Sequence, residues 1–272
     1  MHEPGRSFGF EEIYALDVTE SNARIHQIFL RDGVLFVANT GRDTILRISA
    51  DTGEIVEEIP VFFDSFGSPI IYDNHHLNSV SVYGSTILFV AYAAGDGSLL
   101  GVFDAEARSI EGFRYRNRGV HDLFLTNGGF IGCDTFACKE ASDRHGCVFD
   151  EQGAIDGDFW RSRRAFPRGI AGSDGEWLVG SSFEGSRKER FKGRGEIFVF
   201  GERRNRAALP LPASQVYQII RDDGVFIEGP EDCRPDEIRK CLTSALGEPV
   251  YQVKAPRMAP GFEPHKAFLH AT

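Results

Sequence analysis

Short apolar stretches recur along this chain, and most are joined in pairs by a turn that contains glycine, aspartate or asparagine. The turns, such as Arg31-Asp32-Gly33 and Ser173-Asp174-Gly175, have the composition of tight β-hairpins. The paired stretches are 28–30 with 34–38, 80–82 with 87–91, 123–125 with 130–133, and 170–171 with 177–180. This pattern predicts a series of antiparallel hairpins.

The hairpins recur with a period of about 47 residues, which is typical of repeat architectures. A third apolar strand follows the hairpin in most units, and an outer strand such as 55–59 comes after it. Four short antiparallel strands per unit are characteristic of propeller blades. We therefore predict an all-β, five-bladed β-propeller that forms one domain. Its blades are expected at about 10–60, 61–112, 113–160, 161–205 and 206–230, with strand 13–17 closing the ring.

The pattern changes after residue 230. Pro235 is followed by two acidic residues, which favour the first turn of a helix, so a short helix is expected there. The rest of the C-terminal extension, 231–272, is expected to be irregular around its proline-rich stretch 256–264. We expect no regular helix before residue 234, which argues against a doubly wound α/β fold.

One position of the repeat is occupied by side chains that can bind a metal or an anion. His26, His76 and His121 each open the first strand of a unit, and Arg168 holds that place in the fourth. Because the first strand of each propeller blade lines the central channel, these side chains are expected to converge. Neutral imidazoles are good ligands for Fe, Zn, Cu or Mn, so the pattern predicts a divalent metal held by the three histidines. Alternatively, each histidine only caps a strand or forms a hydrogen bond to a neighbouring blade.

Further candidates lie near the ends of the same strands. Arg168 is expected to anchor an anionic group of a substrate, or else to form a salt bridge to Glu228 or Asp134. Glu228 and Asp134 are the acid–base candidates. Asp122, like Asp134, could hold the N–H group of a ligand imidazole. The side chains expected to contact substrate are Asn78, Tyr92, Tyr217 and Glu184.

Composition narrows the classes of partner. A formal net charge of −10 is unfavourable for binding a nucleic-acid backbone. No apolar stretch is long enough to span a bilayer or to serve as a secretory leader, so we expect a cytoplasmic protein without a membrane partner. The five cysteines suit a reducing compartment, and Cys133, Cys138 and Cys147 lack the paired spacing of a structural zinc site.

Three motifs resemble those of a bacterial family of propeller-like proteins of unknown function. The family's His-Asp-Leu element before a Val-Asn-Thr strand corresponds to His26-Gln27-Ile28 and Val37-Ala38-Asn39-Thr40. Its Cys-His-Leu-Asn-Gly and Phe-Thr-Arg-Gly-Leu elements correspond to His75-His76-Leu77-Asn78-Ser79 and Phe166-Pro167-Arg168-Gly169-Ile170. The chain departs from the family at Gln27, His75 and Ser79. The resemblance implies a propeller fold and a set of fixed residues, and no reaction.

These observations lead to three hypotheses about function. The first is a small-molecule enzyme, an oxidoreductase or a lyase or isomerase, with a divalent metal at the three histidines and an anionic substrate on Arg168. The second is a metal-free binding propeller that recognises a glycan or a peptide in the same channel. The third is a cofactor-independent lyase or isomerase that uses His121 as its base. The sequence leaves the oligomeric state open.

Overall fold

The structure of the protein is a computed structural model. It describes residues 24–92, 97–116, 119–138, 143–173, 176–182, 193–200, 207–211, 216, 218–219, 230 and 233–257. Within these ranges the chain forms four antiparallel sheets and two helices. Each sheet contains four strands that are consecutive in sequence and hydrogen-bonded in that order, and one sheet has a fifth strand from the C-terminal part of the chain.

The four sheets are the blades of a β-propeller. Blade one contains β1 (Ile25–Arg31), β2 (Val34–Asn39), β3 (Thr44–Ser49) and β4 (Ile55–Pro60). Blade two contains β5 (Leu77–Tyr83), β6 (Thr86–Ala91), β7 (Ser98–Asp104) and β8 (Ser109–Tyr115). Blade three contains β9 (Val120–Thr126), β10 (Gly129–Cys138), β11 (His145–Asp150) and β12 (Gly153–Ile155). Blade four contains β13 (Phe166–Ser173), β14 (Glu176–Ser182), β15 (Glu196–Phe200) and β16 (Ala207–Pro210).

The first strand of each blade packs beside the first strand of the next. β5 contacts β1 on one side and β9 on the other, and β13 contacts β9 and β10. The gap between blades four and one is bridged by a segment near residue 216. There the Val216 main-chain N–H donates to Ser182 Oγ over 3.2 Å, and the Gln218 side chain donates to the Ile28 carbonyl over 2.7 Å.

Apolar side chains between neighbouring blades form the core. Phe89 and Phe103 are buried where blade two faces blade one, and Phe124 and Phe149 are buried on the other side of blade two. This arrangement follows from the sequence because alternate strand residues point to opposite faces of a sheet, and both faces of an inner blade are covered.

The structure corrects several boundaries that the sequence predicted. The described residues show four blades rather than five, and the predicted fifth blade and strand 13–17 lie mostly outside them. Residues 207–210 were assigned to the fifth blade but form β16, the outer strand of blade four. A helix, α1 (Gly157–Arg163), was not expected before residue 234. It forms because Trp160 inserts into the core between blades, a tertiary contact that no local period signals.

The C-terminal extension packs on blade two. The predicted helix is confirmed as α2 (Pro235–Leu246), and its Ile238 and Leu242 are buried against β7 and β8. β17 (Tyr251–Lys254) then pairs with β8 as a fifth strand, where irregular structure was expected. None of the helices in the described ranges has the length and apolarity needed to cross a membrane.

Candidate functional site

The first strand of every described blade is interrupted by a β-bulge at the same place. In blade one the pairing passes from Ile25↔Asn39 to Gln27↔Ala38, so His26 is the extra residue. In blades two to four the corresponding bulges hold Asn78, His121 and Arg168. A bulge bends its strand and redirects a side chain, and bulges are frequent beside functional sites. We call these four residues the axial ring.

This register corrects the alignment of the second repeat. His76 was expected at the ring position, and the structure places Asn78 there and His76 two residues earlier. His76 has a positive φ of 60°, which is uncommon for a residue other than glycine and turns the chain sharply just before β5. Asp43 holds that turn because its carboxylate accepts hydrogen bonds from the main-chain N–H groups of Asn74, His75 and Leu77. No local pattern indicates this turn, because Asp43 lies in the previous blade.

His76 nevertheless contacts the axial ring. Its imidazole lies edge-on to that of His26, with ring centroids 4.8 Å apart. Its Nδ1 lies 3.0 Å from an oxygen of Asp73, and the other oxygen of that carboxylate accepts from Arg24 over 2.6 Å. The three histidines expected to converge therefore do lie near one another. His26 and His121 are placed by β-bulges, whereas His76 is placed by a residue with positive φ before β5.

The two ring histidines are oriented by threonines in the same way. Thr40 Oγ1 lies 2.8 Å from His26 Nδ1, and Thr135 Oγ1 lies 2.7 Å from His121 Nδ1. Each hydroxyl donates its proton to a carbonyl of the next blade, at Leu77 and at Pro167 respectively, so it can only accept from the imidazole. The neutral ring then carries its proton on Nδ1 and its lone pair on Nε2.

Tyr92 replaces this threonine in blade two. Its main-chain N–H donates to the His76 carbonyl, as that of Thr40 does to Arg24. Its ring lies edge-on to two histidines, with centroids 5.5 Å from His76 and 5.6 Å from His121. In blade two the hydrogen bond to the next blade is made by Ser98 instead of the residue at the threonine position. Its Oγ accepts from the Val120 N–H over 3.2 Å. The ring of Tyr92 thus lies between His76 and His121, and its contact with a substrate stays a prediction.

The electrostatics of the site keep both ring histidines neutral. Burial lowers the pKa of His121 well below its ordinary value of 6.5, and the positive charge of Arg168 lowers it further. Burial also lowers the pKa of His26 to about 4, with His76 and Arg168 acting in the same direction. His121 and Arg168 are both only 9% exposed. The site therefore combines a buried guanidinium with uncharged imidazoles.

A hydrogen-bonded group from all four blades lies just beyond the ring, one residue past it in blades one, three and four and two residues past it in blade two. Gln27 Nε2 donates to one oxygen of Asp122 over 2.8 Å, and the Gly169 N–H donates to the other over 2.8 Å. The Val80 N–H donates to Gln27 Oε1 over 2.7 Å. Burial raises the pKa of Asp122 to about 6, and the hydrogen bonds from Gly169 and Gln27 oppose that shift. Asp122 therefore links blades and does not hold an imidazole.

The structure places the remaining predicted site residues as follows. Asp134 is fully buried and its Oδ1 accepts from the Phe136 N–H over 3.0 Å, so this carboxylate supports the local chain. Asn78 is 2% exposed and its Nδ2 donates to the Val120 carbonyl over 3.1 Å. Its buried Oδ1 has no hydrogen-bond partner within the described part of the chain. Glu184, Tyr217 and Glu228 lie outside the described residues.

The three histidines do not form a closed metal site. Within the ranges that the structure describes, one set of three His, Cys, Asp or Glu side chains has ligand atoms all within 4.8 Å of one another. That set is Cys138, Asp143 and His145, on blade three. Sequence reasoning missed it because only the extension of β10 beyond β9 places Cys138 opposite His145.

No family model and no curated protein matches the chain. Among solved structures, hydrazine synthase of Kuenenia stuttgartiensis has a TM-score of 0.41 at 9% identity, over 73% of this chain and 69% of that one. A luciferin-regenerating enzyme has a TM-score of 0.43 at 13% identity, over 72% and 66% of the two chains. A streptogramin B lyase has a TM-score of 0.35 at 12% identity, over 77% and 90%. The likenesses are distant and define no function for this chain.

Proposed function

We propose that this protein is a small-molecule enzyme whose axial ring binds an anionic substrate and transfers a proton within it. The observation that supports the proposal is the recurrence of one bulge in four blades, with His26, Asn78, His121 and Arg168 as its residues. Such bulges disturb the pairing of the innermost strand and are commonly found at functional sites. The residues they redirect have the chemistry of a binding and proton-transfer site.

Arg168 is the group that selects the charge of the substrate. It is nearly buried, and its charge lowers the pKa of both ring histidines. A carboxylate or phosphate beside it would offset that charge and can accept two parallel hydrogen bonds from the guanidinium. Cationic or neutral substrates would gain neither effect.

His121 is the proposed general base. It is neutral at physiological pH, and Thr135 and the Gly119 carbonyl hold its proton on Nδ1, at 2.7 Å each. Its Nε2 lone pair is therefore available to a substrate proton. The buried amide oxygen of Asn78 is a further acceptor at the same level of the ring.

A divalent metal at the histidines is the second candidate. Three imidazoles with Nδ1 bonded to Thr40, Asp73 and Thr135 have the outer contacts that orient metal-ligating histidines. Their nitrogens are more widely separated than in a closed site, so metal binding would require the side chains to move together. Metal analysis of Cys138→Ser protein, which lacks the thiol of the set on blade three, with and without His26→Gln and His121→Gln, distinguishes the candidates. A metal content that the histidine substitutions abolish supports a metal at the three histidines, and a content that they leave unchanged excludes it.

We also propose that the ring has five blades. Ser182 Oγ donates to the Val216 carbonyl as Thr40 and Thr135 donate to Leu77 and Pro167. Leu77 and Pro167 each directly precede a ring residue. Val216 therefore corresponds to them in the repeat, which makes 217 the fifth ring position in sequence.

Anion binding tests the proposed function. Acetate, succinate and inorganic phosphate are added in turn to protein with ¹⁵N-labelled histidine, and the imidazole signals are recorded. We expect at least one anion to shift the signals of His26 and His121. Arg168→Met should weaken its binding by about tenfold or more, since a hydrogen bond to a charged group contributes about 1.5–3 kcal/mol. Arg163→Met, on the exposed side of α1, is the matched control. The absence of shifts with all three anions, or equal binding by Arg168→Met, contradicts the proposal.

A further inference from the structure

The hairpin of β10 and β11 carries a second cluster of reactive side chains, separate from the axial ring. β10 continues past its last pairing with β9, at Asp134↔Val120, as far as Cys138. There Cys138 is paired across the hairpin with His145, the first residue of β11. Side chains opposite one another in an antiparallel pair have Cβ atoms about 4.5–5.5 Å apart. The main chain therefore brings a thiol and an imidazole together.

Asp143 completes the cluster. Its main-chain carbonyl lies 2.7 Å from His145 Nδ1, which fixes the orientation of the imidazole. Its carboxylate oxygen Oδ1 lies 3.6 Å from the same nitrogen. A sulfur, an oxygen and a nitrogen ligand atom thus lie within 4.8 Å of one another. In a tetrahedral zinc site with normal bond lengths, ligand atoms are about 3.5 Å apart, so small rotations would close the set.

The unexpected helix α1 supports the carboxylate. Arg161 Nε lies 3.0 Å from Asp143 Oδ2, which orients that carboxylate and leaves Oδ1 on the side of His145. The guanidinium is 58% exposed, so water screens much of its repulsion toward a bound cation. Contacts of this kind behind a ligand are a regular feature of metal sites.

The neighbouring cysteines are unsuited to the same role. Burial raises the pKa of Cys133 well above its ordinary value and that of Cys147 to about 12. Both therefore remain neutral thiols in the core, as the sequence predicted for the cysteines as a group. Cys138 is only partly buried and faces a histidine and a carboxylate instead.

We propose that Cys138, Asp143 and His145 bind a zinc ion, with water in the fourth position. Three mixed Cys, His and Asp ligands are typical of zinc, and an open fourth position is typical of sites that also bind or activate a small molecule. The proposal is independent of the function proposed for the axial ring.

Cobalt substitution tests the site directly. Full-length protein is treated with a chelator, titrated with Co²⁺ and followed by absorption. We expect a thiolate-to-cobalt charge-transfer band at one equivalent and its loss when Zn²⁺ is added. Cys138→Ser should abolish the band, and Asp143→Asn and His145→Gln should weaken cobalt binding at least about tenfold. Cys241→Ser, a half-buried cysteine on α2, is the matched control and should retain the band.

Two comparisons separate this site from the axial ring. A His26→Gln/His121→Gln double variant should keep the thiolate band unchanged even if the axial ring binds a metal of its own. Far-UV circular dichroism verifies that each variant is folded. The proposal is overturned if the chelator-treated protein shows no thiolate band, or if folded Cys138→Ser shows a band of equal strength.

Discussion

Blades one and three share one arrangement of the main chain and differ in the residues around it. Each has a bulged histidine and a threonine 14 residues later whose hydroxyl also binds the next blade. His26 is half-buried, whereas His121 is 9% exposed and has the Gly119 carbonyl as a second acceptor. Beyond the bulge, blade one presents Gln27 and blade three presents Asp122. The repeat therefore determines where a side chain lies, and the residue at each position determines its chemistry.

The link between the two blades gives the largest expected effect. Asp122→Ala leaves the buried Gln27 amide and the Gly169 N–H without an acceptor, and should lower the free energy of unfolding by about 3 kcal/mol. Gln27→Ala should cost about 2 kcal/mol, because Val80 N–H loses its acceptor. Urea unfolding of both single variants and the double variant measures their coupling. A coupling of about 1 kcal/mol or more is expected for direct partners, and additive losses would show that the two blades are not joined here.

The pH dependence of stability separates the histidines from the carboxyl group. The pKa of His26 is lowered to about 4, so folding expels its proton and stability rises with pH between about 4 and 6.5. The pKa of His121 is lowered well below 6.5, so this residue acts in the same direction. The raised pKa of Asp122 acts oppositely: its contribution is full below 3.8 and is lost as pH rises to about 6. The two histidines together outweigh the single carboxyl group of Asp122. The free energy of unfolding of the wild type should therefore rise by about 1–2 kcal/mol between roughly pH 5 and 6.5.

Single substitutions sharpen this expectation. Asp122→Asn should make the rise steeper, and His121→Gln should flatten it, as urea midpoints at several pH values would show. A wild-type profile that falls over this interval would mean that the carboxyl group dominates and that the histidines are not neutral in the folded state.

The threonines should give the smallest effect. Thr40→Val and Thr135→Val each remove a hydroxyl that bonds a ring histidine and a neighbouring carbonyl, at an expected cost of about 1–2 kcal/mol. Thr→Ser at either position should restore most of the loss because the hydroxyl remains. Similar losses in the free energy of unfolding for the two variants, measured by heat or urea, would show that both threonines have the same role. Negligible loss at one of the two positions would show that the blades differ there.

The local patterns were sufficient to predict the hairpins, the propeller architecture and the common position of His26, His121 and Arg168 in the repeat, and they predicted five blades where the described residues show four. They failed where contacts between distant residues decide the outcome. The two-residue offset of His76 depends on Asp43 of the preceding blade, α1 depends on the burial of Trp160, and β17 depends on the free edge of β8. Hydrophobic periodicity reports the face of an element and contains no information about such partners.

The state of the imidazoles tests the account most directly. ¹⁵N-detected NMR of histidine-labelled protein reports, for each ring, both its charge and the nitrogen that carries the proton. At about pH 6, below the ordinary histidine pKa, we expect His26 and His121 to be neutral and protonated on Nδ1. Signals of a charged imidazolium, or of a proton on Nε2 in both residues, would contradict the arrangement that the axial ring requires.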